Sequence, residues 1–296
     1  MNTKALEASL NNEIEESKID DPIILLSDAA EEQQKNISFT RYPIGIETFD
    51  NNAKLDAEQG GLSGGDLMIV SGPTGNGKTL LSSTIAYNML KEQSIPSLFL
   101  TYEVSTFALW KSFQKMGAQA GDFICAPALH TTGKLEWVEK KIREAKGKYM
   151  VGNVVIDHLG FLVPFQKLNQ QMSQNYSSYL SQIVRELKTI AVKENISIIL
   201  PVHMVKSASD DPSLRDIANS GGIAQESDFV LLLAREETKK SGLSKDLSDD
   251  YYTKYTKVIV AKNRPGGKTP SFWMEMKDGK LVETWKEYNK GKSKYD

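Results

Sequence analysis

Residues 72–79 read Gly72-Pro73-Thr74-Gly75-Asn76-Gly77-Lys78-Thr79, a GxxxxGKT pattern set between two segments of different periodicity. Before it, Leu67-Met68-Ile69-Val70 is a short unbroken apolar run, as expected of a strand buried on both faces. After it, residues 78–93 carry Leu80, Leu81 and Ile85 on a helical repeat. Strand, glycine-rich turn and helix in this order constrain the chain more than any other feature. The glycines let backbone N–H groups turn inward without Cβ clashes. The helix N-terminus adds its partial positive charge. The pattern predicts a phosphate cradle built from Gly72, Pro73, Thr74, Gly75, Asn76, Gly77, Lys78, Thr79 and Leu80. Lys78 is expected to reach the β and γ phosphates and the Thr79 hydroxyl to ligate Mg²⁺, which makes ATP and Mg²⁺ the expected cofactors.

Further apolar runs at 97–100, 154–156, 196–202 and 228–233 alternate with helical stretches at 78–93, 106–119, 135–145 and 175–195. Buried strands separated by helices predict an α/β fold, a mostly parallel twisted sheet with helices on both faces. Segments 257–261 and 270–276 lack an intervening helix and predict an antiparallel C-terminal extension. Such sheets bind ligands at the carboxyl ends of their strands. Two acidic residues fall at such ends. Asp157 follows Val154-Val155-Ile156 and is the candidate second group on the Mg²⁺ side. Glu103 follows the 97–100 run and is the candidate for activating water. Residues 236–250 read as a surface loop and 286–296 as a polar tail.

Composition narrows the class. The chain of 296 residues is 40% hydrophobic and 25% charged, which excludes a mostly disordered polymer. Its net charge of −2 is unevenly spread: residues 1–35 hold three basic and nine acidic side chains, −6, which leaves +4 for the rest. The arm has short apolar patches, Ala5/Leu6/Leu10 and 23–26, broken by Pro22. It reads either as two short helices that need a partner surface or as a frayed tail. The expected division is an acidic arm over 1–40, one core over 41–285 and a tail over 286–296. The single cysteine, Cys125, excludes an intrachain disulfide and reads as a small buried apolar group. His130 and His158 show no metal-ligand spacing. No apolar run approaches about 20 residues and the N-terminus lacks a signal peptide's apolar core, so the expectation is a cytoplasmic protein without a membrane partner.

The stretches around these residues resemble the RecA-type core of DnaB-like hexameric replicative helicases. Residues 60–67, GGLSGGDL, precede the phosphate loop as in that family, and Tyr102-Glu103-Val104-Ser105 is similar to its second motif. Ser220-Gly221-Gly222-Ile223-Ala224-Gln225-Glu226-Ser227-Asp228, running into Ala234-Arg235-Glu236, is similar to the family's SGAIEQDADVV and RDE. Residues 259–267, IVAKNRPGG, resemble its AKxRxGPTG. The resemblance covers about residues 42–285 and implies a RecA-like P-loop NTPase. It also implies catalytic roles for Lys78 and Glu103, a γ-phosphate sensor at His203, and a link from the nucleotide site to DNA loops at Gln225. Lys262 and Arg264 correspond to the lysine and arginine finger that act on a neighbouring subunit's ATP. Histidine at position 203 is closer to the phage primase-helicase and mitochondrial Twinkle branch than to bacterial DnaB.

The resemblance further implies single-stranded DNA as partner, a homo-oligomer built as a hexameric ring, a primase or loader as further partners, and a bacterial or phage-infected cell as setting. Lys167, Lys206, Arg215, Gly221 and Gly222 are the candidate DNA-backbone contacts. One departure stands out. The family's Arg-Glu pair before SGA is replaced by Ala218-Asn219, which removes a basic contact that Arg215 is placed to replace. Only the acidic arm precedes the core, as in a stripped-down mobile-element helicase, and residues 23–35 are the candidate subunit-docking helix. Two other classes remain open: a RecA- or RadA-like recombination ATPase, and a KaiC-like regulatory ATPase that does not unwind DNA.

Overall fold

The computed structural model describes residues 41–54, 60–128, 134–163, 176–204, 212–217, 220–237 and 252–284. The acidic arm, the docking candidate 23–35, Lys167, Lys206, Ala218, Asn219, residues 238–251 and the tail lie outside them.

In chain order the elements are α1 (Glu47–Asn52), β1 (Leu67–Gly72), α2 (Lys78–Gln93), β2 (Ser97–Thr101), α3 (Thr106–Lys115), β3 (Ile124–Cys125), α4 (Leu135–Tyr149) and β4 (Asn153–Asp157). Then follow α5 (Tyr176–Glu194), β5 (Ser197–His203), α6 (Ser220–Glu226), β6 (Phe229–Glu237), β7 (Tyr252–Asn263), β8 (Ser271–Lys277) and β9 (Lys280–Glu283). One nine-stranded sheet runs β3-β2-β4-β5-β1-β6-β7-β8-β9. The pairings from β3 through β6 are parallel, and β7, β8 and β9 add on antiparallel. This is the expected α/β architecture with its antiparallel extension.

The apolar runs are continuous because both faces of the sheet are covered. In β1, Leu67 and Ile69 belong to a core shared with Val138 and Ile142 of α4 and Leu180, Val184 and Leu187 of α5. Met68 and Val70, pointing the other way, join Leu81 and Ile85 of α2, Phe113 of α3 and Phe272 of β8. Burying one such aliphatic side chain contributes about 1.5–3 kcal/mol. In β1, β2, β4 and β5 charge is kept out of the strand interiors and stands at or just beyond their ends.

Several elements differ from expectation. The 106–119 helix stops at Lys115, since Gly117 adopts a left-handed conformation with φ of +98°. Strand β6 continues through Glu237, so residues 236–237 belong to a β6–β7 pairing rather than to a loop. Helix α2 is buried over most of its circumference, including Ser82, Ser83, Thr84 and Asn88. It is covered on one side by the sheet and on the other by chain segments: Thr84 Oγ1 accepts from the Leu281 N–H (3.0 Å) and Asn88 Nδ2 donates to the Ile44 carbonyl (3.1 Å). Cys125 is only half-buried, because β3 is the edge strand, and that burial raises its thiol pKa. No described helix is long and apolar enough to cross a membrane.

Candidate active site

Strand order brings the acidic residues and the glycine-rich turn to one edge. β1 lies between β5 and β6, and β4 lies beyond β5, so the carboxyl ends of β1, β2, β4 and β5 share one crevice. In the parallel register Thr101 stands beside Asp157 and Gly72 beside His203. Glu103 follows β2, Asp157 ends β4 and His203 ends β5. Below them Ser71 Oγ donates to the Val202 carbonyl at 2.9 Å and ties β1 to β5.

The turn after β1 has the shape of an anion cradle. Gly75 and Gly77 have φ of +84° and +91°, a region closed to most side chains, and no atom lies within 4 Å of the position a Gly75 Cβ would take. Lys78 opens α2 and its Nζ donates to the carbonyls of Gly72 (2.9 Å) and Pro73 (3.1 Å). Burial lowers its pKa, against the charges of Glu103 and Asp157. Thr79 Oγ1 donates to Asp157 Oδ2 at 2.8 Å. Burial pushes the Asp157 carboxyl up, with Glu103 adding to the effect, while the Thr79 bond and Lys78 oppose it. A hydroxyl and a carboxylate oxygen in contact beside the glycine-rich turn are the donor set a hard, oxygen-preferring cation such as Mg²⁺ takes, so the residues fit that ion.

Glu103 sits between two imidazoles. His158 Nδ1 lies 3.1 Å and His203 Nε2 3.6 Å from Glu103 Oε1. The His158 contact is off the hydrogen-bond direction, and Nδ1 is buried without a hydrogen-bond partner. The two rings meet edge-on at 4.5 Å, and Phe161 packs edge-on to His158 at 4.9 Å while stacking on Tyr102 at 5.1 Å. Burial depresses both histidines first. His203 and Lys78 lower His158 further, and Lys78 does the same to His203, with Glu103 opposing in both. Sequence reasoning missed His158 here. Its position directly after the strand-end Asp157 was the available signal.

The remaining candidates lie elsewhere. β7 runs antiparallel to β6, with Lys262 beside Val230 and Asn263 beside Phe229, and Met68 pairs with Phe229. Lys262 and Arg264 therefore stand where β1 begins, and the phosphate loop stands where it ends, roughly 20 Å away at about 3.3 Å per residue. Lys262 Nζ donates to the carbonyls of Ala224 (2.7 Å), Gln225 (2.9 Å) and Ser227 (2.6 Å). Arg264 donates to Asp228 Oδ1 (3.2 Å) and the Gln225 carbonyl (3.1 Å). Gln225, expected at the nucleotide site, is an exposed residue of this far edge and is not part of its own chain's cradle. The reason is that α6 leads directly into the start of β6 rather than its end. Gly222 is packed on α5, where a Cβ would come within 2.0 Å of Ser181 Oγ, so its lack of a side chain has a packing cause. Gly221 precedes it in α6. Arg215 is exposed in a short turn (Leu214–Asp216) that returns to the end of β5 through the Met204–Ile217 pairing.

A family model described as the DnaB-like helicase C-terminal domain matches residues 119–276, and one described as the KaiC ATPase matches residues 42–194. A probable replicative DNA helicase of Trieres chinensis is 28% identical over 247 residues, covering 72% of this chain and 51% of that protein. The replicative DNA helicase DnaB of Rickettsia felis is 25% identical over 281 residues, covering 78% and 56%. That of Treponema pallidum is 24% identical over 238 residues, covering 72% and 50%. The chain thus spans about half the length of the curated relatives it matches. A solved structure described as an ATPase domain shares the fold, with a TM-score of 0.67 at 20% identity over 88% of this chain and 97% of that one.

Proposed function

Since the chain belongs to the DnaB-like helicase C-terminal domain family, we propose that it is the motor core of a replicative helicase, an ATP- and Mg²⁺-dependent translocase on single-stranded DNA that works as a hexameric ring. One observation carries the reading. The phosphate loop, Glu103 and Asp157 occupy one edge of the sheet, and Lys262 and Arg264 occupy the opposite edge. Two cations so far from their own phosphate loop are out of its reach, which supports a role on a neighbour's loop in a ring of identical subunits.

In this reading, amides of residues 72–79 and Lys78 hold the β and γ phosphates. Thr79 and Asp157 hold Mg²⁺, which when bound neutralises charge on the phosphate oxygens. Glu103 accepts a proton from the attacking water, with the His158 and His203 rings beside its carboxylate at 3.1 and 3.6 Å. His203 faces the γ phosphate from the end of β5. Arg264 and Lys262 of the adjacent copy stabilise the charge that develops as the terminal phosphoryl group departs. Gln225, held in the same far-edge cluster, relays the neighbour's state to the DNA side. Lys167, Lys206, Arg215, Gly221 and Gly222 contact the DNA backbone, a sequence-independent grip that weakens with salt. Residues 1–40 are an acidic arm in which 23–35 is the candidate subunit-docking helix, and a primase or loader is the expected further partner in a bacterial or phage-infected cytoplasm.

The decisive assay is ATP hydrolysis with and without single-stranded DNA at two salt concentrations. Stimulation at low salt that fades at high salt is expected. Hydrolysis indifferent to DNA would favour the second reading, a KaiC-like regulatory ATPase, which the match over residues 42–194 keeps in play. Mixing Arg264→Ala with Lys78→Ala subunits should restore part of the activity, because each lesion lies on a different side of a shared site. Absence of rescue at every ratio would argue against sharing.

A further inference from the structure

Glu103, His158 and His203 are a donor set that the ATP reaction does not require as a set. Each offers one ligand atom, and the three atoms all lie within 4.8 Å of one another. We propose that these three side chains form a site for a borderline transition-metal cation of the Zn²⁺ class, distinct from the Mg²⁺ position at Thr79 and Asp157, and that filling it stops turnover by withdrawing Glu103 from water.

Three observations support this. First, two ligands bound at about 2.1 Å in a tetrahedron stand about 3.4 Å apart. Glu103 Oε1 is 3.1 Å from His158 Nδ1 and 3.6 Å from His203 Nε2, which brackets that spacing. Second, His158 Nδ1 is a buried polar atom with no hydrogen-bond partner, although a carboxylate oxygen is close by. Its lone pair or proton is left without a directional contact, a cost that a bound cation removes. Third, His158 directly follows β4 and His203 ends β5, and the His158 ring is wedged between His203 and Phe161, so little side-chain freedom remains to be lost on binding.

The chemistry separates the two cation positions. Two imidazole nitrogens and one carboxylate oxygen suit Zn²⁺, Co²⁺ or Ni²⁺ and are poor ligands for Mg²⁺, which prefers oxygen. The hydroxyl–carboxylate pair at Thr79 and Asp157 has the opposite preference. Lys78, the cation of this edge, is turned onto the carbonyls of Gly72 and Pro73, and the Glu103 carboxylate supplies the anionic ligand. Three protein ligands leave a fourth position open, where a water or a phosphate oxygen fits.

The inhibitory half rests on the proposed ATPase role of Glu103, whereas the binding half does not. The test therefore begins with the full chain in the absence of nucleotide, DNA and Mg²⁺, titrated with Zn²⁺ against a chromophoric chelator. One equivalent is expected to bind, and excess Mg²⁺ should not displace it. His158→Ala and His203→Ala should each weaken binding by at least about tenfold, and Cys125→Ser should leave it unchanged. Co²⁺ in place of Zn²⁺ should give the intense visible absorption of a low-coordinate site, lost in both histidine variants, with circular dichroism confirming that they are folded. No stoichiometric binding, or binding indifferent to both histidine changes, overturns the site. Where ATP hydrolysis is measured, Zn²⁺ should inhibit over the same concentration range as it binds, reversibly with chelator. Full hydrolysis with the site occupied would overturn the inhibitory half and leave the site standing.

Discussion

Asp228 is the most heavily used carboxylate of the far edge, and its removal tests how that edge is held. Its side chain is 6% exposed. Oδ2 accepts from the Leu67 N–H at 2.9 Å and from Lys188 Nζ at 2.6 Å, and Oδ1 accepts from Arg264 at 3.2 Å. Asp228→Ala leaves the Leu67 N–H, at the start of the central strand, without a partner, which costs about 1–3 kcal/mol. It also strips the counter-charge from Lys188, whose side chain is 24% exposed. Losing one member of a buried pair costs about 3–5 kcal/mol. The two costs overlap because they share one carboxylate, so about 3–5 kcal/mol in total is expected. Arg264 is 54% exposed, and its pair adds at most about 1 kcal/mol. Asp228→Asn keeps an acceptor for Leu67 and should cost about half as much. Thermal and urea melts at pH 7 are the assay. At roughly 2–4 °C per kcal/mol for a domain of this size, Asp228→Ala should lower Tm by roughly 6–20 °C. A change within 1 kcal/mol of wild type refutes the reasoning. So does a double-mutant cycle in which Lys188→Ala costs as much in the Asp228→Ala background as alone.

The other expectations concern separate parts of the molecule. Lys262→Met removes the ammonium that donates to three carbonyls at the end of α6, and should cost about 1–2 kcal/mol in urea melts, with a smaller loss in Lys262→Arg. Asp50, half-buried and accepting from the Ile44 and Ile46 N–H groups, has its pKa raised by burial from 3.8 to about 6. Between those values the folded state binds the extra proton, so the stability advantage of wild type over Asp50→Asn should shrink as pH rises from 4 to 7, by at most about 3 kcal/mol. An advantage that grows over that range would contradict the burial argument. Lys78→Ala should abolish ATP hydrolysis by weakening nucleotide binding, and Glu103→Gln should abolish it while nucleotide affinity, read by a fluorescent analogue, persists. Normal hydrolysis by Glu103→Gln would mean that another group activates the water.

The parts of the site that could be read along the chain are those whose signals are contiguous. The GKT turn stands beside its own strand and helix, so eight adjacent residues carry its geometry. Glu103, Asp157 and His203 each follow an unbroken apolar run, and parallel strands send such residues to one edge whatever their order. Elements that lack a local signal are not legible in this way. β3 has two residues and α1 six. Helix α2, with serines and a threonine buried beside its leucines, gives no hint from its own periodicity that it is covered on both sides.

The sequence by itself determined the fold class, the glycine-rich turn between β1 and α2 and the residues at the strand ends, because these follow from periodicity and from backbone chemistry within a few residues. Only the tertiary structure decided the strand order, and with it every relation between distant segments. It set His158 3.1 Å from Glu103 across fifty-five positions of chain. It also placed Lys262, Arg264 and Gln225 at the edge opposite Lys78. Strand order is chosen by which faces bury best against α2, α4 and α5, a sum over many weak non-local contacts that no single stretch of sequence carries.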